Sequence, residues 1–88
     1  MIVRIDKSFQ KDLAALHDKG LNKKVATCIE AVMDAKQLSE IKNLKKLTGF
    51  EFYYRIRIGN YRIGLKVQEN EIIFIRILHR KEIYRFFP

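Results

Sequence analysis

Residues 53–67 read YYRIRIGNYRIGLKV, and this stretch predicts a β-hairpin. Apolar and basic residues alternate on both sides of Gly59-Asn60, a favourable pair for a two-residue turn. A tight turn at this point places Arg57 directly opposite Arg62 across the two strands. Because successive side chains alternate between the two faces of a strand, the isoleucines point to one face and the arginines to the other.

The predicted hairpin therefore has an apolar face and a basic face. The apolar face is expected in the core and holds Ile56, Ile58, Ile63 and Leu65. The opposite face carries Tyr53, Arg55, Arg57, Arg62 and Lys66. Like charges directly opposite each other destabilise a strand pair, and Glu or Thr would be the stabilising choice. A planar guanidinium binds phosphate oxygens in pairs, so we expect an anion on this face. A solvated face that serves only solubility is the alternative.

The distribution of charge also indicates an anionic partner. The chain has a net charge of +8 in 88 residues. Residues 1–40 hold 7 Lys and Arg against 6 Asp and Glu, whereas residues 41–88 hold 11 against 4. The second half therefore carries a balance of +7, which is typical of a protein that binds nucleic acid or an acidic protein.

The remaining sequence predicts an α+β fold. Ile2–Ile5 fits an N-terminal strand, Ser8 is placed to cap a first helix that ends near Gly20, and a second helix runs over 21–35. The nearly continuous apolar run at 72–78 predicts a central strand. We expect an N-terminal strand, an antiparallel helical hairpin and then a three- or four-stranded, mainly antiparallel sheet.

The length and the cysteine count limit the other possibilities. Residues 1–88 form one domain by size, and no apolar run is long enough to span a membrane. The N-terminus lacks a secretory apolar region, so a cytoplasmic protein without membrane contact is expected. Cys28 is the single cysteine and cannot form an internal disulfide. It is expected to be a buried, unreactive thiol, and no metal or cofactor is predicted.

The third strand of the meander runs directly into HRKEIYRFFP, residues 79–88. A turn at Glu69-Asn70 would place His79 on the basic face, where it could accept a proton near neutral pH. The same segment adds two cations and a tyrosine, which are Arg80, Lys81 and Tyr84. The apolar residues of this segment, Ile83, Phe86 and Phe87, are expected to pack onto the core.

This set of residues favours cleavage of RNA without a metal. The acidic residues of the second half are not expected to converge, which disfavours two-metal phosphodiester chemistry. In metal-free cleavage the substrate's own 2′-hydroxyl attacks the neighbouring phosphorus. The protein then has to align the strand, remove the 2′-proton, stabilise the added charge and protonate the leaving 5′-oxygen.

Four short motifs carry a resemblance to a known family. They are Leu-x-Gly, Tyr-Arg-x-Arg, Gly-x-Tyr-Arg and an apolar strand that ends in His-Arg-Lys-x-x-Tyr. This pattern resembles the RelE/ParE superfamily of toxins from type II toxin–antitoxin systems. The resemblance implies a β-α-α-β-β-β fold and an endoribonuclease of the RelE type that cuts messenger RNA in the ribosomal A site. It also implies neutralisation by a cognate antitoxin protein.

The resemblance implies roles for several basic residues and for Tyr84. Arg62 would stabilise the phosphate in the transition state, and Tyr84 would stack on a base. His79, with Lys81 as the alternative, would be the base, and Arg80 or Lys81 would serve the leaving group. The residues expected to contact RNA are Arg55, Arg57, Lys45 and Lys46. Two alternatives remain, a ParE-like gyrase inhibitor and a basic binding module without catalysis.

Overall fold

The computed structural model describes all 88 residues as one α+β unit. The helices are α1 (Lys7–Leu16), α2 (Lys19–Asp34) and a single turn, α3 (Ile83–Phe86). The strands are β1 (Ile2–Ile5), β2 (Leu44–Lys46), β3 (Tyr53–Ile58), β4 (Tyr61–Gln68) and β5 (Glu71–His79). No helix has the length and apolar character needed to cross a membrane.

The five strands form one mixed sheet in the order β1-β5-β4-β3-β2. Strand β1 runs parallel to β5, and the other neighbours are antiparallel. The fold class predicted from the sequence is confirmed. The sheet has five strands rather than the expected three or four, and the unexpected strand is the short basic segment Leu44–Lys46, which pairs with the edge of β3.

The predicted register of the β3–β4 hairpin is confirmed, with Ile58 opposite Tyr61 and Arg57 opposite Arg62. Gly59 has a φ of 56°, a left-handed conformation that glycine adopts without steric strain. The turn therefore sets which residues face each other over the whole hairpin.

The main core lies between one face of the sheet and helices α1 and α2. The sheet contributes Ile56, Ile63, Leu65, Val67, Ile72, Phe74 and Ile77 to it, and the helices contribute Phe9, Leu21, Val25 and Val32. The rings of Phe9 and Phe74 meet edge-to-face with centroids 5.5 Å apart. These contacts fix the apolar face of the hairpin against the helices, so the arginine side chains must leave the sheet on the opposite face.

The helix ends differ from the predicted ones. Helix α1 is capped by Asp6, whose carboxylate accepts from the backbone N–H of Ser8. It ends at Leu16 because His17 adopts a left-handed conformation, with a φ of 50°. Gly20 therefore lies inside α2, whose cap is Asp18. An aspartate directly before each helix, rather than Ser8 or Gly20, therefore determines where the helix begins.

A β-bulge interrupts the pairing of β4 with β5. Gly64 pairs with Arg76 and Leu65 pairs with Phe74, so Ile75 is an extra residue on β5. Side chains of α1 cover this part of the strand, which extends beyond the end of β1. The Ser8 hydroxyl donates to the Ile75 carbonyl, and the Asp12 carboxylate accepts from the Ile77 N–H at 3.1 Å.

The C-terminal segment packs on the basic face of the sheet rather than on the main core. Ile83 and Phe87 are buried, with 0% and 3% of their surface exposed, whereas Phe86 remains 51% exposed. A Cβ placed on Gly64 would lie only 2.6 Å from the Phe87 ring. The close approach of this ring to the backbone explains why glycine occupies position 64 in the centre of the sheet.

We predict that Gly64→Ala destabilises the protein by about 1–3 kcal/mol, because the added methyl group overlaps the Phe87 ring. Unfolding in urea would measure the change. On a Phe87→Ala background the same substitution should have little effect, since the two residues are then no longer coupled. Gly20→Ala is the matched control, because its Cβ would meet only Asp18 Oδ1 at 3.4 Å. An equal loss at both glycines would contradict the proposed overlap.

Candidate functional site: an arginine cluster on the open face of the sheet

Three arginines of the β3–β4 hairpin lie on one face of the sheet, as the register requires. Arg57 and Arg62 are directly opposite each other, and Arg55 lies opposite Gly64. No carboxylate neutralises any of them. The two ion pairs of the chain are Arg4 with Glu71 at 3.0 Å and Arg76 with Asp12 at 2.7 Å. The cluster therefore carries its charge without compensation from the same chain.

Asn43 holds two of these arginines. Its carbonyl accepts from Arg55 Nη1 at 2.9 Å, and its side-chain oxygen accepts from Arg57 Nη2 at 3.4 Å. The residue has a φ of 63°, which asparagine tolerates better than most residues, and it lies just before β2. Asn43 is not predicted as a site residue from the sequence. Its tendency to occur in turns indicates a turn before β2, but only the pairing of β2 with β3 brings it next to the arginines.

Arg62 is held by the hairpin turn. Its Nη1 donates to the carbonyls of Gly59 and Tyr61, both at 2.9 Å. Partial burial lowers the pKa of the Arg62 guanidinium, nearby Arg55, Arg57 and Arg80 lower it further, and Tyr84 opposes the shift. Arg62 therefore lies close enough to these three arginines and to Tyr84 for their charges to interact.

The end of β5 brings Arg80 and Tyr84 to this cluster. The backbone N–H of Arg80 donates to the Asn60 carbonyl at 2.8 Å, which ties the strand end to the hairpin turn. Tyr84 lies on the single turn α3, has 58% of its surface exposed and borders a pocket with Arg55. Both residues therefore lie beside the arginine cluster.

The prediction that His79 lies on the basic face is wrong. The bulge at Ile75 shifts the register by one residue, so His79 pairs with Tyr61 and projects from the face that carries the helices. The rings of Tyr61 and His79 are 5.6 Å apart. His79 Nδ1 accepts from the Lys81 N–H at 3.2 Å. The imidazole of His79 therefore lies on the face of the sheet opposite the arginine cluster.

The three predicted lysines are placed differently from the arginines. Lys81 is exposed in the turn after β5 and lines neither of the two main depressions of the surface. Lys45 pairs with Arg55 and shares its face, whereas Lys46 pairs with Tyr54 and leaves the strand on the opposite face. Both side chains nevertheless border the second depression, because β2 is the edge strand.

Two depressions adjoin the arginine cluster. The larger, with a volume of about 1050 Å³, lies between α2 and the β3–β4 hairpin and is bordered by Arg57, Arg62 and Arg80. The smaller, of about 450 Å³, is bordered by Arg55 and Tyr84. The cluster therefore lies between two cavities, each large enough for part of a ligand.

The side chains that converge at this site are mainly cationic. Cys28 borders the larger depression, where burial raises the pKa of its thiol to about 11, so the unreactive protonated form dominates at neutral pH. Groups of three or more His, Cys, Asp or Glu side chains that could ligate a metal ion are absent from the chain. The arrangement is suited to binding an anion and stabilising added negative charge.

The fold is the one that the sequence resemblance implies for a small type II toxin. The chain matches the family model described as "ParE toxin of type II toxin-antitoxin system, parDE" over residues 3–84, and it belongs to that family as a RelE-like toxin.

Similar proteins bear names of the RelE group. Toxin RelE3 of Methanocaldococcus jannaschii is 46% identical over 90 residues, which cover 100% of both chains. Putative toxin RelE1 of the same organism is 36% identical over 81 residues, covering 91% of this chain and 89% of that protein.

Solved structures show the same fold. The RelB–RelE antitoxin–toxin complex from Methanococcus jannaschii aligns with a TM-score of 0.80 and 42% identity, covering 97% of this chain and 99% of that chain. YafQ from E. coli aligns with a TM-score of 0.64 and 17% identity over 90% of this chain and 92% of that chain. At this lower identity the similarity concerns the fold alone.

We predict that Arg57→Thr stabilises the free protein by about 0.2–1 kcal/mol, because it removes the like charge opposite Arg62. Urea unfolding at low salt would measure the gain, and added salt should reduce it by screening the repulsion. Arg76→Thr is the control of opposite sign, since it breaks the pair with Asp12 and should lower stability. Loss of stability in Arg57→Thr would show that the two guanidiniums do not repel each other in the free protein.

Proposed function

We propose that this toxin is an endoribonuclease that cleaves messenger RNA on the ribosome, without a metal, by attack of the 2′-hydroxyl on the neighbouring phosphorus. The observation that supports the proposal best is the convergence of Arg55, Arg57, Arg62 and Arg80 with no carboxylate among them. A phosphodiester that acquires extra charge in its transition state would relieve their mutual repulsion.

Arg62 is the residue best placed to bind that phosphate. A guanidinium has five N–H groups, and the two hydrogens of its Nη1 are directed at the turn carbonyls of Gly59 and Tyr61. The edge formed by Nε and Nη2 then remains for two parallel hydrogen bonds to phosphate oxygens. The turn carbonyls keep the guanidinium oriented before substrate arrives, so little side-chain entropy is lost on binding.

The structure favours a particular division of roles among the other residues. Arg80 lies among the charges that act on Arg62, which supports it over Lys81 for stabilising the leaving 5′-oxygen. His79 is a poor base candidate, because it projects from the face of the sheet opposite the arginines. The proposed acceleration therefore depends on alignment and charge stabilisation rather than on a histidine base: the 2′-proton passes to solvent water as the new P–O2′ bond forms, and a proton from water reaches the 5′-oxygen as the P–O5′ bond breaks.

A cognate antitoxin protein is the proposed protein partner. The solved relative at 42% identity is described as a RelB–RelE antitoxin–toxin complex. A net charge of +8 and an uncompensated arginine cluster would attract an acidic segment that folds on binding. Both proposed partners, messenger RNA and antitoxin, would place the protein in the cytoplasm.

Inhibition of gyrase is the second candidate. The family model that matches the chain is described as a ParE toxin of parDE systems, and this description favours a ParE-like activity. The two candidates differ in what is damaged when the toxin is expressed. Loss of message supports the nuclease, whereas a DNA damage response with intact message supports the gyrase inhibitor.

We predict that Arg62→Ala lowers RNA cleavage about 10²–10³-fold, the range seen when one donor to a developing charge is removed. Growth arrest should be lost while the variant remains folded and binds antitoxin. Cleavage by the unmodified toxin should leave 2′,3′-cyclic phosphate ends, which RNA-end analysis detects. Arg4→Ala is the control, because Arg4 is an exposed arginine on β1 that forms an ion pair with Glu71 of β5. Full toxicity in a folded Arg62→Ala protein would contradict the proposal.

A further inference from the structure

The smaller depression beside the arginine cluster has aromatic walls and a cationic rim. The β2–β3 loop forms one side and the C-terminal segment forms the other. Its aromatic residues are Phe50, Tyr84 and Phe87, and its cationic residues are Lys45, Lys46 and Arg55. No acidic residue lines it.

The loop holds Phe50 in a defined position. The Phe50 N–H donates to the Leu47 carbonyl at 3.3 Å, which closes a four-residue turn. Gly49 in this turn has a φ of 85°, a conformation that residues with a side chain rarely adopt. The rings of Phe50 and Tyr53 meet edge-to-face with centroids 6.0 Å apart, and the rings of Tyr53 and Phe87 do so with centroids 5.5 Å apart. Contact with Tyr53 thus holds the Phe50 ring in place, while 45% of the Phe50 surface stays exposed.

The pocket adjoins the proposed phosphate site, because Arg55 lies opposite Gly64 and so shares the face of the hairpin that carries Arg62. Arg55 and Tyr84 line the pocket, and both also act electrostatically on Arg62. A strand whose phosphate rests on Arg62 would therefore pass Tyr84 on its way to the pocket. The volume of about 450 Å³ provides room for a base with part of its ribose.

Single-stranded nucleic acid fits this combination better than an acidic peptide does. Aromatic side chains stack on the flat faces of bases, while cations along the rim bind the backbone phosphates. An acidic peptide would gain from the cations but has few flat groups to place against three rings. Stacking also requires no hydrogen-bond donor or acceptor on the pocket walls, and the three rings supply none toward a base face.

We propose that this pocket is a nucleobase subsite, in which the exposed ring of Phe50 stacks on the base of a nucleotide adjacent to the scissile phosphate and the buried ring of Phe87 forms the floor of the pocket. The inference rests on the proposed RNA-cleaving function and extends it. It assigns Phe50, which lies in a loop outside the arginine cluster, to substrate binding. It also gives the C-terminal segment a second role, because Phe87 both covers Gly64 and lines the pocket.

The test compares RNA binding by Phe50→Ala, Phe50→Trp and Phe52→Ala. The probes are short fluorescent single-stranded RNAs with a 2′-deoxy nucleotide at the cleavage position, either intact or with an abasic nucleotide beside it. Removing one stacked base or its partner should weaken binding about 5–150-fold. Phe50→Ala should bind the intact RNA as weakly as the unmodified toxin binds the abasic RNA, with no further loss when both changes are combined. Phe50→Trp should restore binding.

Phe52→Ala is the matched control, because Phe52 lies in the same loop, is 37% exposed and does not line the pocket. A second readout is the base composition at RNA ends produced in a translation extract, which should change in Phe50→Ala and not in Phe52→Ala. Thermal unfolding would show that each variant is folded.

The outcomes separate the subsite from the proposed function. If Phe50→Ala binds and cuts RNA like the unmodified toxin while Arg62→Ala does not cut, the subsite is wrong and the nuclease stands. If Phe50→Ala weakens only antitoxin binding, the pocket is a protein-docking site and the inference is overturned. If the unmodified toxin neither binds nor cleaves RNA in either assay, both proposals fail.

Discussion

The pairing of Arg57 with Arg62 is the constraint on which the rest of the structure depends. The Gly59-Asn60 turn fixes this pairing, and burial of the isoleucines against the helices fixes which face the arginines occupy. Moving the register by one residue to separate the charges would expose the apolar set, whose burial contributes far more than the like-charge pair costs. The sheet therefore holds two guanidiniums opposite each other. In place of carboxylates, the side-chain oxygen of Asn43 accepts from Arg57, and the carbonyls of Gly59 and Tyr61 accept from Arg62.

The face opposite the helices serves both packing and binding. At one end Phe87 lies over Gly64, and Ile83 is fully buried beside the sheet. At the other end the same face presents the arginine cluster. The short helix α3 joins these two ends and carries Tyr84 to the charges around Arg62. The position of Tyr84 thus depends on apolar contacts made by its neighbours in the chain.

Local patterns were sufficient to predict the hairpin, the basic face and the fold class, because alternation and a Gly-Asn turn determine register over short distances. They were not sufficient for His79. The predicted placement assumed uninterrupted pairing from the Glu69-Asn70 turn, and one extra residue at Ile75 reverses every later side chain of β5. What stabilises that bulge is the Ser8 hydroxyl, 67 residues away in the chain, and such a contact leaves no signal in the local sequence of β5. The contacts of Asn43 with Arg55 and Arg57 have the same long-range origin.

The uncompensated cluster links stability to binding. A ligand that binds only the folded state stabilises it by an amount that grows with the ratio of its concentration to its Kd. An anion bound among these arginines would also reduce their mutual repulsion. The toxin with such an anion bound would therefore be more stable than the free toxin. In the proposed function, an acidic antitoxin segment and an RNA phosphate would compete for the same arginines, which border the two adjoining depressions. In the proposed function, inhibition by the antitoxin then requires no change in the shape of the toxin, only prior occupation of its cations.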